Sequence, residues 1–219
     1  MITIKTYLGK KHVFDSLDQV TMLDYYNEII ELDCSKSNLD YLPELPLQLN
    51  TLNCSNNNLT YLPDLPPYLE CLSCHSNKLC LIPKLPDNLG WLYASNNCLT
   101  TLPTLPQSLQ ILYCSKNKLN SLPLIPNKVK YLYCFDNNLK SIPTIPENIM
   151  FIYFDKNPVK TFIDTYFEGR KSLYFEWKSN YENIYINKLE DWFLECKYNP
   201  KYKYCRDKVN RDYDTYVLE

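Results

Sequence analysis

Residues 49–68 read LNTLNCSNNNLTYLPDLPPY, and this twenty-residue block recurs along most of the chain. The copies follow the pattern L-x-x-L-x-C-x-x-N-x-L-x-x-L-P-x-L-P-x-x. The first copy departs from it with Ser37 at the asparagine position, and the seventh has Phe154 for the cysteine and Ile163 for the first proline. A single block of this size cannot bury its own apolar face, but stacked blocks share a continuous core. The pattern therefore predicts a solenoid. The blocks begin at Ile29, Leu49, Leu69, Leu89, Leu109, Val129 and Ile149.

The two halves of each block predict different backbone conformations. In L-x-x-L-x-C the apolar positions alternate as in a short strand, so positions four and six point one way and positions three and five point the other. The second half, L-P-x-L-P, cannot be helical, because each proline biases its predecessor toward extended geometry. We therefore expect a parallel sheet on the inner face and extended segments on the outer face.

Two columns of residues run through the predicted core. At position nine an asparagine can bond neighbouring backbone groups where the chain turns inward. At position six a small cysteine fits the core, and we predict these cysteines to be buried, reduced thiols. The asparagines are Asn57, Asn77, Asn97, Asn117, Asn137 and Asn157, and the cysteines are Cys34, Cys54, Cys74, Cys114 and Cys134.

This pattern resembles the leucine-rich-repeat family, in particular its twenty-residue class with L-P-x-L-P on the convex side. That class is similar to the repeats of effector proteins that enteric bacteria inject. The frequent cysteine, with abundant Asn, Lys, Tyr and Ile, also resembles repeat proteins of giant amoeba viruses. The resemblance covers about residues 29–162 and implies a leucine-rich-repeat solenoid, whose scaffold serves many partners.

The flanks of the array are predicted to be caps. Residues 1–28 form an N-terminal cap in which Ile2 and Ile4 alternate as in a strand and Asp15 or Ser16 caps a short helix. Residues 29–162 form the array of about seven repeats. Residues 163–219 form an aromatic-rich, mostly helical C-terminal cap, indicated by the helical spacing of Ile186, Leu189, Phe193 and Cys196.

Composition narrows the functional classes. The 219 residues carry a net charge of -2, which argues against general binding to nucleic acid or an anionic membrane. There is no apolar run of about 18 residues and no signal-peptide core at the start, so we expect a cytoplasmic protein that does not enter a membrane. Only three glycines are present, too few for a glycine-rich phosphate loop.

The inner face changes from polar to aromatic along the array. At position five alone, four successive blocks carry tyrosine. An aromatic patch of this kind is unfavourable to leave bare and marks an interaction surface. The alternative is that neighbouring rings stack to stabilise the sheet, or that the C-terminal segment folds back over them. The predicted partner-binding residues, here called the aromatic face, are Trp91, Tyr93, Tyr113, Tyr131, Tyr133, Phe135, Phe151 and Tyr153.

Neither a metal site nor a catalytic site is predicted. Cys71-x-x-Cys74-His75, with Cys80 nearby, superficially resembles a zinc site, but the repeat register sends Cys71 and Cys74 to opposite faces and no second pair is present. Neither His12 nor His75 belongs to a recognisable catalytic motif. The bacterial effectors that the repeats resemble carry a ubiquitin-ligase domain with a Cys-x-Asp nucleophile, which residues 205–207 match, but that domain is far longer than the segment remaining here.

The sequence thus favours a non-enzymatic module, without a cofactor, that binds a protein on the aromatic face. One rival is a self-associating structural protein, dimeric through that face and virion-associated if the chain is viral. A second rival is a ubiquitin-ligase-like effector acting through Cys205. The expected location is the cytoplasm, meaning the host cytoplasm or the virion for a viral protein.

Overall fold

The computed structural model describes residues 1–143, 145–146 and 148–158. Three expectations lie outside these residues: the helical C-terminal cap at 163–219, the end of the array at 159–162 and the motif at Cys205.

The described chain is built from short strands joined by long extended connections. One α-helix, α1 (Leu17–Thr21), and one 3-10 turn (Tyr26–Glu28) precede the repeats. The strands are β1 (Ile2–Thr6), β2 (Lys11–Phe14), β3 (Ile29–Asp33), β4 (Thr51–Asn53), β5 (Cys71–Ser73), β6 (Trp91–Tyr93), β7 (Ile111–Tyr113), β8 (Tyr131–Tyr133) and β9 (Phe151–Tyr153).

These strands form one sheet in the order β2-β1-β3-β4-β5-β6-β7-β8-β9. From β3 to β9 every neighbouring pair is parallel, and equivalent positions of successive blocks face each other, as Leu52 faces Leu72. The repeat length therefore sets the register directly. The predicted parallel sheet and leucine-rich-repeat solenoid are confirmed.

The core lies between this sheet and the outer segments. Positions one, four, six and eleven of a block are fully buried, as Leu49, Leu52, Cys54 and Leu59 show. On the outer side the chain is extended and turns once in each complete repeat, where an amide donates to the carbonyl of the second proline. The bond from Leu69 N to Pro66 O is 3.1 Å long. This geometry confirms the extended outer face expected from the prolines.

The N-terminal segment covers one edge of the parallel sheet. Strand β1 runs antiparallel to β3, and the ammonium of Lys5 forms an ion pair with Glu31. The predicted strand and short helix are present. Residue Ser16 occupies the N-cap position with extended backbone, but its side chain makes no capping bond. Instead, the amide of Asp15 donates to the Gln19 side-chain oxygen at 3.1 Å.

Two backbone features were not predicted. Strand β2 pairs with β1 to form a hairpin at the sheet edge. Position eight of each repeat adopts the left-handed conformation without glycine, for example at Lys36 (φ 54°) and Asp136 (φ 56°). The amide at this position donates to the next repeat, as Lys36 N does to Ser55 O at 3.0 Å.

Candidate functional site

The side chains at positions three and five of each block lie on the strand and face the concave surface of the sheet. Position seven lies just beyond the end of the strand. In β4 these positions hold Thr51 and Asn53, and in β5 they hold Cys71 and Ser73. From β6 onward aromatic residues predominate. Because paired residues of parallel strands share a face, the register brings seven of the eight residues of the aromatic face onto one surface, and Phe135 lies just beyond β8.

The aromatic rings contact one another along the sheet. The ring centroids of Tyr93 and Tyr113 are 5.2 Å apart in an edge-on arrangement. Those of Tyr113 and Tyr133 are 4.4 Å apart. Tyr133 also stacks on Phe151 at 4.7 Å and approaches Tyr153 edge-on at 6.4 Å. Stacking of neighbouring rings, the first part of the alternative reading, is therefore present.

A second set of contacts borders this row of rings. The ring centroids of Phe135 and Tyr153 are 4.9 Å apart. The ammonium of Lys116 lies 5.9 Å from the Phe135 ring centroid, within range of a cation–π interaction. Phe135, at position seven, therefore extends the aromatic surface beyond the strands, and Lys116, at position eight of the preceding repeat, places a positive charge at its margin.

The members of the aromatic face differ in exposure. Tyr93, Tyr131 and Phe151 are buried, with 3%, 6% and 9% of their surface exposed. The other five are half-buried, and none of the eight is without contacts in the chain. A partner would therefore meet the half-buried rings first. Their role in partner binding remains a prediction.

The asparagines of position nine form the predicted ladder. Each donates from Nδ2 to carbonyls of its own and the preceding repeat, and its Oδ1 accepts an amide of the preceding repeat. The Oδ1 of Asn57 accepts from both Ser37 and Leu39, at 3.0 and 2.9 Å. Ser37 replaces asparagine in the first block, and its amide is a second donor to Asn57 Oδ1 beside the amide of Leu39.

The cysteines of position six are fully buried and form no disulfide, as predicted. Burial raises the pKa of Cys34 and of Cys134 to about 12, from an ordinary value of 9.0. Burial also raises the pKa of Cys54 and Cys114 well above that value, and the neighbouring cysteines of the column add to the shift. Since the thiolate is the reactive and metal-binding form, these four thiols are poor nucleophiles and poor metal ligands near neutral pH.

The Cys71, Cys74 and His75 group shows no zinc-site geometry. Cys74 lies in the core, whereas Cys71 is buried on the concave side of the same strand. Nδ1 of His75 lies 3.2 Å from the Ser76 hydroxyl. Within the described ranges, no cluster of three or more His, Cys, Asp or Glu residues could hold a metal ion. The same part of the chain contains no helix long and apolar enough to span a membrane.

The sequence did not indicate two buried hydroxyls. The Oγ atoms of Ser73, on the concave face, and Ser115, at position seven, are buried and make no hydrogen bond. Serine is common on surfaces and in turns, so no spacing or motif distinguishes a buried serine beforehand.

Comparison with solved structures identifies the class. YopM from Yersinia enterocolitica matches with a TM-score of 0.58 and 36% identity, over 58% of this chain and 29% of that chain. A Shigella effector leucine-rich-repeat domain matches with a TM-score of 0.56 and 39% identity, over 58% and 59%. YopM from Yersinia pestis, a leucine-rich effector, matches with a TM-score of 0.56 and 36% identity, over 58% and 37%.

This chain is therefore a leucine-rich-repeat protein that resembles bacterial effectors, and it spans about a third to three-fifths of the length of those structures. No protein-family model matches the sequence. No curated protein matches it either. Repeat folds of this class typically act as protein-interaction modules through an extended concave surface.

Proposed function

We propose that this protein is a non-enzymatic module that binds a partner protein on its aromatic face. The observation that carries the proposal is the alignment of Tyr93, Tyr113, Tyr133 and Tyr153 at equivalent positions of adjacent strands. Tyrosine and tryptophan are enriched among the residues that contribute most to protein–protein binding, because each presents a large apolar surface together with a polar atom.

The ring contacts support this proposal because they preorganise the surface. Tyr113 and Tyr133 are held by their neighbours at centroid distances of 4.4–5.2 Å, so ordering them on binding costs little conformational entropy. Both side chains are half-buried and still present surface to a partner. A partner segment with apolar side chains at its centre fits this arrangement.

The location belongs to the same proposal. We propose that the protein acts in the cytoplasm, and the support is that the cysteines of the described residues form no disulfide. Several cysteines without a disulfide are typical of a protein in a reducing compartment.

A photo-crosslinking experiment tests the site. Benzoylphenylalanine is introduced at position 113 on the aromatic face and, as the matched control, at position 61, where Tyr61 is 55% exposed outside the concave positions. Irradiation in the native cytoplasm should link position 113, but not position 61, to one reproducible protein. If only position 61 is linked, the binding surface lies elsewhere.

The crosslinked product also separates the main proposal from self-association. Light scattering on the purified protein should give the monomer mass, and mass spectrometry of the product should identify a different protein. A dimer mass together with a crosslink between two copies of this chain would favour the structural rival.

A further inference from the structure

Two cysteines of the array lie outside its core. Of the eight cysteines in the described part of the chain, none forms a disulfide and six are buried, whereas Cys80 is exposed and Cys98 is half-buried. Cys80 stands at position twelve of its block and Cys98 at position ten of the next. Neither position belongs to the buried column at position six or to the concave face, so neither core packing nor the proposed function accounts for them.

Backbone hydrogen bonding brings these two residues together. The amide of Cys98 donates to the carbonyl of Leu79 at 2.9 Å, and Leu79 immediately precedes Cys80. Hydrogen-bonded extended segments lie about 4.8 Å apart. A disulfide joins residues whose Cα atoms are about 4.4–6.8 Å apart, so the spacing of the two turns suits one.

The side chains project from the same side of the turn. Leu79, between positions ten and twelve, is fully buried, which sends positions ten and twelve outward. Sγ of Cys80 lies 3.9 Å from the carbonyl oxygen of Lys78, which occupies position ten of the same block. Side chains at position ten touch between repeats, as Nδ2 of Asn58 lies 2.9 Å from Oδ1 of Asn38. The Cys80 sulfur therefore lies beside the row of position-ten side chains, and Cys98 is the position-ten residue of the next repeat.

We propose that Cys80 and Cys98 form a thiol–disulfide exchange site whose substrate is a low-molecular-weight disulfide such as glutathione disulfide. The Cys80 thiolate attacks one sulfur of the small disulfide, forms a mixed disulfide and releases one small thiol. The Cys98 thiolate then attacks Sγ of Cys80, forms the Cys80–Cys98 bond and releases the second small thiol. Two protein thiols are oxidised, one disulfide is reduced, and their protons pass to the two departing thiols.

The rest of the structure gives this reaction its selectivity. Cys34 and Cys134 are fully buried, so a small disulfide cannot reach their sulfur atoms. Their pKa values are raised to about 12, so they remain protonated at neutral pH and do not attack a disulfide. The product joins the third and fourth repeats covalently on their outer side. Closing the loop between residues 80 and 98 constrains the unfolded chain, and the melting temperature should rise by about 5–10 °C.

The test treats the full chain with glutathione disulfide and maps its tryptic peptides without reduction. Cleavage after Lys78, Lys84 and Lys116 leaves Cys80 in residues 79–84 and Cys98 in residues 85–116. We expect these two peptides to be joined, with fragmentation placing the bond at Cys98 rather than at Cys114. The melting temperature should rise in the same sample and return to its starting value on reduction.

Two variants isolate the steps. Cys98→Ser should stop at a stable mixed disulfide on Cys80, and Cys80→Ser should form neither the mixed disulfide there nor the bond. Both sites lie outside the core, so an unchanged melting temperature of the reduced variants verifies folding. The proposal is overturned if the folded parent keeps a mixed disulfide on Cys80, pairs Cys80 with another cysteine, or leaves Cys80 unreacted.

Discussion

The side-chain nitrogen Nδ2 of Asn97 lies 3.0 Å from the backbone carbonyl oxygen of Cys74, in the preceding repeat. The same nitrogen donates to the carbonyl of Ala94, and Oδ1 accepts the amide of Leu79 at 3.0 Å. One buried side chain therefore satisfies backbone groups of two repeats. The same arrangement recurs in the neighbouring repeats and couples each repeat to the one before it.

Replacing this asparagine tests the ladder. Asn97→Ala removes the acceptor of the buried Leu79 amide, and one such unpaired group costs about 1–3 kcal/mol. The carbonyls of Cys74 and Ala94 keep their bonds from Asn77 and Asn117. We expect the free energy of unfolding in urea to fall by about 1–3 kcal/mol. Asn120→Ala is the matched control, because Asn120 is exposed in the same array and its loss should change stability by no more than about 0.5 kcal/mol. Equal urea midpoints for the two variants would contradict this role of Asn97.

The buried thiols predict a pH dependence. The pKa of Cys134 is raised from 9.0 to about 12, so the folded state keeps a proton that the unfolded chain loses above pH 9. The stabilisation is therefore fully present below pH 9 and is lost as the pH rises toward 12. We expect the stability advantage of the parent over Cys134→Ala to shrink by about 1–2 kcal/mol between pH 8 and pH 10.5 in urea melts. An advantage that stays constant over this interval would argue against the raised pKa.

Position eight predicts a stabilising substitution. Lys36 has a φ of 54°, a conformation that costs a residue with a Cβ about 1–2 kcal/mol but costs glycine nothing. Glycine also makes the unfolded chain more flexible, which offsets part of this gain. Lys36→Gly should therefore raise the free energy of unfolding by about 0.5–1 kcal/mol.

A matched variant should have the opposite sign. Lys78 is exposed in the same array but is not among the residues with positive φ. Lys78→Gly gains no relief of strain and should lower stability by about 0.5–1 kcal/mol. If both glycine variants lose stability equally, the left-handed conformation at Lys36 is not strained.

The sequence predicted those features that depend on the period alone. Exact twenty-residue spacing fixes which residues pair, so the contact between Leu52 and Leu72 and the asparagine ladder could be read from the pattern. The concave position of the seven aromatic residues that lie on strands follows from the same alternation. Distances between rings, such as 4.4 Å for Tyr113 and Tyr133, depend on side-chain rotamers that a pattern does not specify.

Other features depended on contacts between distant or dissimilar residues. Strand β2 forms because the hairpin lets Lys11–Phe14 pair with β1 at the edge of the sheet. Its sequence, KHVF, does not alternate between polar and apolar residues, so the pattern did not indicate a strand. The left-handed position eight carries Lys, Asn, Ser and Asp in different repeats, so no residue type marks it. The closeness of Cys80 and Cys98 arises from a register of hydrogen bonds that joins positions ten and eleven of neighbouring repeats.

The central claim, partner binding on the aromatic face, is tested most directly by capture with paired variants. Tyr113→Ala with Tyr133→Ala removes two adjoining concave rings, and Tyr41→Ala with Tyr61→Ala removes two exposed tyrosines outside that face. Each pair, once shown by its melting transition to be folded, is used as bait in native cytoplasm and compared with the parent by quantitative mass spectrometry. We predict that the concave pair captures at least about tenfold less partner than the parent, because one such anchor contributes about 2 kcal/mol or more. The other pair should capture as much partner as the parent does. A folded concave pair that captures the partner as well as the parent does would contradict the account.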